Sequence, residues 1–342
     1  MTIEPWRATC IQTVSKLAVK APHRDGAWTI IDENIAHALA LIEAATQSAD
    51  PPKLVVLPEF AFQGPPHGLP VANWIEKACC AIPGRITAPL QDLAHRAHIY
   101  VAAHQFESVS QWPGRYFNTS FLIDPTGAVI LRYRRVNTAA FPSPHDFMDA
   151  YLARHSMAEI FPVVDTELGR LAMVPCGEIN VPEVARVLMM QGAEVILHPT
   201  NSPRRPTQEA AKIVRAAENM VYIVSANVAE GIGFSWDGSV QGGRSHIIDY
   251  LGRTLAYEDG AGENHVGLGA DRCRSATRSA QAGYGNGQPP AARALGNVPA
   301  VLRSGVVLSA QQLPPHADVG RSLRGGGAGH VLAQHGKRRR HR

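Results

Sequence analysis

Cysteine and aromatic residues are scarce in this sequence: five Cys in 342 residues, with Phe, Trp and Tyr together at 6%. So sparse a set of cysteines excludes a disulfide-stapled miniprotein, and the hydrophobic share of 45% excludes disorder throughout and collagen. No apolar run approaches the ~18 residues that a membrane-crossing helix needs. The N-terminal stretch Met1 to Thr13 lacks a basic segment followed by an apolar one, so no secretory signal is predicted and a reducing cytoplasm is the expected compartment. Neither a Cys-x-x-Cys pair nor a His-Glu-x-x-His motif is present, and the histidines have no ligand-like spacing, so no metal site is predicted.

Acid is almost absent from the end of the chain. Residues 1–265 hold 21 Lys and Arg against 27 Asp and Glu, whereas residues 266–342 hold 12 against 2. The overall charge of +4 therefore joins an acidic body to a basic segment. That segment has 13 Gly and a single aromatic residue, Tyr284. Runs such as Gly325 to Gly329 and Lys337 to Arg342 bury too little surface to offset chain entropy, which predicts a mostly disordered tail. A switch this abrupt is what a frame shift near residue 264 of a GC-rich gene would produce. A basic tail can bind nucleic acid, but no aromatics are interleaved here and no recognisable nucleic-acid fold is present, so nucleic acid is not the expected partner. Gly283 to Gly287 follows no strand pattern and does not read as a nucleotide loop.

Through the body, short Val- and Ile-rich runs alternate with longer stretches of helical spacing. Strands are expected at Ala8 to Val14, Leu54 to Leu57, Ile99 to Ala103, Ser120 to Ile123, Ala128 to Tyr133, Leu171 to Val174, Val195 to Leu197, Tyr222 to Ala226 and His246 to Tyr250. Helices are expected at Ile30 to Ala45, Thr87 to Ala97, Pro182 to Gln191 and Thr207 to Met220. The alternation predicts a layered α/β domain, and Asp124-Pro-Thr-Gly127 reads as a hairpin turn that makes the sheet mixed.

Three places hold residues able to do chemistry. Cys176 closes an apolar strand just before a helix that starts near Pro182; backbone N–H groups at such a turn favour a thiolate or an oxyanion, although the same residue also reads as an inert small hydrophobe. Cys10, in a strand pattern, and Cys79-Cys80, on a helical stretch, read as core packing, and Cys273 lacks any comparable setting. Glu59 follows the run Leu54 to Leu57; a partly desolvated carboxylate there can act as a general base, and the alternative is a solvated loop acid. Arg132-Tyr133-Arg134-Arg135 reads as a solvated strand end or, taken with the other two, as a fixed positive charge for an oxygen that becomes negative.

The order and wording of these segments resemble the nitrilase superfamily of carbon–nitrogen hydrolases over most of residues 5–260. Leu57-Pro-Glu59 is similar to its glutamate motif, Tyr133-Arg-Arg135 to its Tyr-Arg-Lys motif, and Cys176 to Glu183 to its Cys-x-Asp/Glu-x-x-x-Pro-Glu motif. Asn118, Gly192-Ala-Glu194 and Ser245 to Arg253 add supporting matches. The resemblance implies a four-layer α-β-β-α sandwich over residues 1–265, self-association through the outer helices, and a cysteine, glutamate and lysine triad that uses no metal or organic cofactor. It further implies that Glu59 deprotonates Cys176, that the sulfur attacks an amide or nitrile carbon, and that Glu59 then activates water against the thioester. Phe147 to Tyr151 resembles the segment where amidase-type members carry a second acid, here Asp149, which otherwise reads as a solvated loop residue.

One departure bears on mechanism. Arg135 stands at the lysine position, and a guanidinium can stabilise an oxyanion but does not give up a proton at working pH. Gly177 and Asn180 are more similar to the aliphatic amidase and carbamoyl-amide branches than to nitrilases proper, which favours a small amide or carbamoyl substrate over a nitrile. The alternatives are a catalytically impaired homologue that binds an amide-like ligand or a protein partner, and a nitrilase proper.

Overall fold

In the computed structural model, residues 6–138, 141–202, 205–229 and 242–267 are described. Two six-stranded mixed sheets lie face to face. The first runs in the order β12-β1-β2-β3-β4-β5, from β1 (Ala8–Gln12), β2 (Leu54–Val56), β3 (Tyr100–Ser108), β4 (Tyr116–Ile123), β5 (Val129–Arg134) and β12 (Asn264–Gly267). The second runs β11-β10-β9-β8-β7-β6, from β6 (Val164–Thr166), β7 (Gly169–Met173), β8 (Val195–Thr200), β9 (Tyr222–Asn227), β10 (His246–Ile248) and β11 (Thr254–Tyr257). Each has a parallel trio, β1-β2-β3 and β7-β8-β9, flanked by antiparallel strands.

Alternation along the strands builds the layers. In the first sheet Cys10, Leu54, Val56, Ala102, Leu122 and Tyr133 face the second sheet. Ile11, Val55, Leu57, Val101 and Phe121 face outward, onto α1 (Arg24–Thr46), α2 (Val71–Ala78) and α3 (Thr87–Ala97). The stripe Ala27, Ile31, Ile35, Ala38, Ile42 and Ala45, spaced three or four apart, is the buried face of α1. Between β5 and β6 lie two short helices, α4 (Met148–Leu152) and α5 (Met157–Ile160). The second sheet is covered by α6 (Pro182–Met190) and α7 (Pro206–Asn219), completing the four-layer sandwich. Among the described residues no helix is long and apolar enough to cross a membrane.

The expected hairpin forms: Asp124 Oδ1 accepts from the backbone N–H of Thr126 and Ala128, Gly127 takes φ 83°, and Ile123 pairs with Val129. Two expectations are corrected. Cys79 and Cys80 are not helical: α2 stops at Ala78, and the Cys80 carbonyl instead accepts from Ser108 N, tying the segment to β3. The strand expected to run to Tyr250 ends at Ile248, because Asp249 Oδ1 captures the N–H groups of Leu251 and Arg253 and folds the chain back. Pairing in β12 continues to Gly267, past the change of composition at His265. The tail expectations and Cys273 lie outside the described residues.

Gln12 joins the two sheets. Wholly buried at the end of β1, it donates through Nε2 to the carbonyls of Gly260 and Gly262 and accepts from Ser245 N, just before β10. Gln12→Leu leaves the buried Ser245 N–H without its partner and is expected to lower unfolding free energy by about 1–3 kcal/mol, read as a shift in urea midpoint at unchanged slope.

Candidate active site

Three chain segments leave the sandwich at the same end, where β2, β5 and β7 terminate, and they carry Glu59, Arg135 and Cys176 together. Leu57 N bonds to Ala102 O, which prolongs the pairing beyond β2 and delivers Glu59 to the interior, 1% exposed. Its Oε1 accepts from Asn118 Nδ2 at 3.0 Å and faces Arg135 Nη1 at 3.4 Å. Oε2 is buried with no hydrogen-bond partner among the described residues.

A relay of neutral groups orients the carboxylate. Phe60 N, on a residue with φ 66°, donates to His104 Nδ1; His104 Nε2 therefore carries the proton and donates to Asn118 Oδ1 at 2.7 Å, which turns the amide N–H₂ toward Glu59. Burial, with Arg135 adding to it and Glu59 opposing, takes His104 down to about 4, so the ring stays uncharged at neutral pH.

Strand alternation splits the basic run. Arg132 and Arg134 point to the outer face, where Arg134 pairs with buried Glu107 at 2.8 Å and Arg132 donates to Ile82 O. Tyr133 and Arg135 point inward. Arg135 N extends the ladder to Asn118 O, and its Nε donates to Asn137 O at 3.0 Å. A Cβ placed on Gly177 would sit 3.2 Å from Arg135 Nη2, so the guanidinium lies against the residue that follows Cys176.

Glu178 fastens these segments to one another. Tyr133 Oη donates to Oε2 at 2.7 Å, and Val136 N and Asn137 N donate to Oε1 at 3.1 and 3.0 Å. The turn after Arg135 is thereby pinned to the loop that bears Cys176. Burial pushes the Glu178 carboxyl up to about 7, against the pull of Arg135 and of the three donors.

Cys176 follows β7 at φ 46°, in the left-handed region, and opens a 3-10 turn over Cys176–Asn180 that leads into α6, with Pro182 at its first position. Its Sγ lies 3.6 Å from Asn201 O and 4.0 Å from Ser202 Oγ. Burial, reinforced by the charge of Glu59 and opposed by Arg135, raises the thiol to about 11. At neutral pH the sulfur therefore keeps its proton. Cys10 and Cys79 are core residues, their thiols raised by burial.

Asp149 is not brought to this cluster. On the single-turn α4, Tyr151 is the buried residue, packed against Trp112 and Phe117, and a residue two positions away on a helix faces the other side, so Asp149 is exposed. Four participants went unread in the sequence: His104, Glu178, His198 and Gln208. Glu178 stands inside the cysteine motif and Asn118 was a supporting match, but nothing local marks the two histidines or Gln208 as neighbours of Glu59 or Cys176.

The family model for carbon–nitrogen hydrolases matches residues 16–269. The chain belongs to the carbon–nitrogen hydrolase family. It is 27% identical over 232 residues to omega-amidase NIT2 of Homo sapiens, covering 67% of this chain and 79% of that protein. With a formamidase of Bacillus thuringiensis (strain Al Hakam) it shares 28% identity over 233 residues, 66% of this chain and 64% of the formamidase's length. Among solved structures, Nit3 of Saccharomyces cerevisiae, a member of branch 10 of the nitrilase superfamily, superposes with a TM-score of 0.62 at 18% identity over 83% of this chain and 96% of its own. An amidase from Nesterenkonia sp. AN1, in a mutant carrying the acetamide moiety of fluoroacetamide on its active-site cysteine, gives 0.58 at 18% identity, over 80% and 94% of the two chains.

The raised carboxyl of Glu178 has a consequence for stability. A group held above its usual 4.5 binds its proton more tightly in the fold than in the unfolded chain, so its contribution is present below about 4.5 and is lost as pH rises to about 7. Relative to Glu178→Gln, the wild type is therefore expected to lose on the order of 3 kcal/mol between those two pH values and nothing further above them, measured by urea unfolding across pH.

Proposed function

We propose that the chain hydrolyses the carbon–nitrogen bond of a small amide or carbamoyl compound through a thioester on Cys176. The observation that carries this reading is the meeting of Cys176, Glu59 and Arg135 at one end of the sandwich. The amidase and formamidase names of the relatives, and the acetamide-bearing cysteine of the Nesterenkonia amidase, support amides over nitriles.

On this reading Glu59 takes the thiol proton as Sγ attacks the carbonyl carbon, and the developing oxyanion faces the Arg135 guanidinium. The tetrahedral adduct collapses as the C–N bond breaks; Glu59 returns the proton to the departing nitrogen, which leaves as ammonia. Water then attacks the thioester as Glu59 accepts its proton; the C–S bond breaks, Glu59 returns that proton to Sγ, and the acid leaves with the Cys176 thiol restored. Arg135 supplies charge throughout and gives no proton, so every transfer falls to Glu59. Self-association belongs to the same proposal: Ile213, Val214 and Leu251 form an exposed apolar group on and beside α7. Action in the cytoplasm belongs to it as well.

Ammonia release screened over small primary amides, carbamoyl compounds and nitriles tests the reading. Amides or carbamoyl compounds are expected to turn over, with Cys176→Ala lowering the rate by at least about a thousandfold. Undiminished turnover in that variant overturns the assignment. Arg135→Lys is expected to keep or raise turnover, and its complete loss counts against the site.

Gly177 and Arg135 are matched in space, since a Cβ at position 177 would crowd Nη2. Gly177→Ala is expected to slow the arginine enzyme about tenfold and to cost much less beside Arg135→Lys, whose shorter head avoids the clash; equal losses in both backgrounds refute the match.

A further inference from the structure

We propose that His198 is a positioning residue that holds Cys176 in its left-handed conformation by donating a hydrogen bond to the Cys176 carbonyl. The inference rests on the reading of Cys176 as nucleophile and adds how the fold keeps that sulfur aimed.

A side chain bearing a Cβ is disfavoured at φ 46° and stays there only where its surroundings over-determine the backbone. Two donors converge on the Cys176 carbonyl and occupy its lone pairs: His198 Nε2 at 2.9 Å and Gln208 Nε2 at 3.3 Å. They come from opposite sides. His198 is wholly buried on β8, in the sheet beneath the loop, whereas Gln208 stands in the first turn of α7. Gln208 in turn accepts from Asn180 Nδ2 and donates to Ser202 Oγ, the hydroxyl 4.0 Å from Sγ.

The geometry also settles the histidine's tautomer. A carbonyl oxygen can only accept, so Nε2 must carry the proton, and Nδ1 then accepts from Ser225 Oγ at 2.8 Å. Ser225 is in place because β8 and β9 pair in parallel with His198 opposite it. Burial, with Lys212 and Arg135 adding to it and Glu209 opposing, takes the ring down to about 3, so the donor stays neutral and singly protonated across the working range. Without it, the peptide after Cys176 is free to relax out of the left-handed region and carry Sγ away from Glu59.

The test compares the wild type with His198→Leu, which has no donor, and His198→Gln, whose Nε2 reaches the same carbonyl. The readouts are kcat and KM for the best amide in the ammonia screen, the rate of iodoacetamide labelling at Cys176 followed by mass spectrometry, and the melting midpoint. His198→Leu is expected to lower kcat and the labelling rate by about 10- to 100-fold with KM nearly unchanged, and His198→Gln to recover most of both. If the leucine variant fails to fold, His198→Asn, whose shorter side chain falls short of the carbonyl, is read in the same way. Full kcat and labelling in a folded variant without the donor, or equal losses in the Leu and Gln variants, overturns the proposal. Cys176→Ala, run beside them, separates the two ideas: if it still releases ammonia the nucleophile is misassigned, whereas if it is inactive while His198→Leu is fully active, only the positioning role falls.

Discussion

The contact between Arg135 and Glu59 is an ion pair withdrawn from water at both ends, with side chains 10% and 1% exposed. Removing two charges from solvent costs several kcal/mol for each, and their attraction offsets this only where the remaining donors and acceptors are also satisfied. Much of the surrounding polar structure is explained by that requirement. Asn118 and its His104 prop satisfy Oε1, Asn137 O takes the guanidinium Nε–H, and Glu178 fixes the turn from which Arg135 projects. Of the two Glu59 oxygens, Oε2 has no hydrogen-bond partner among the described residues, and the charge of that carboxylate acts on the Cys176 thiol.

A guanidinium in place of an ammonium changes how the pocket is filled. The planar head spans from Glu59 to the loop after Cys176, and the glycine at 177 leaves it room. Its charge is permanent, so under the proposed mechanism two tasks that a lysine can combine are separated: electrostatic support falls to Arg135 and proton movement to Glu59. The neutral state of His104 and of His198 follows from the same setting, since each ring lies in a desolvated region where a further positive charge is disfavoured by Arg135.

The strain at Cys176 connects this electrostatics to the rest of the fold. A left-handed residue at the end of a strand can be held only by elements on more than one side, here β8 and α7. Those elements are in register with the Cys176 loop because β7, β8 and β9 are parallel neighbours and α7 returns the chain over them. The covering helix is thus part of the site as well as part of the hydrophobic layer.

Local pattern carried much of the architecture. Thr87 to Ala97 was legible to the residue as a helix, because its apolar side chains recur at three and four. The hairpin at Asp124 was equally plain, because its turn chemistry is local. Short elements such as β6 and β12 were not legible, since three or four residues display no period and acquire their form from the strand beside them. In the site, Glu59, Arg135 and Cys176 each stand in a motif with its own strand-end context. Asp149 stood in a comparable segment yet faces outward, because its neighbour Tyr151 takes the buried side of α4. The sequence by itself determined the α/β class, the three candidate side chains and the strand ends that bear them, all of which depend on residues within a few positions of one another. Only the tertiary structure decided that these groups share a pocket, which oxygen of Glu59 is left open, and that His198 and Gln208 grip the Cys176 carbonyl. Such contacts join residues 22 to 117 positions apart, and no local periodicity encodes which distant groups will meet.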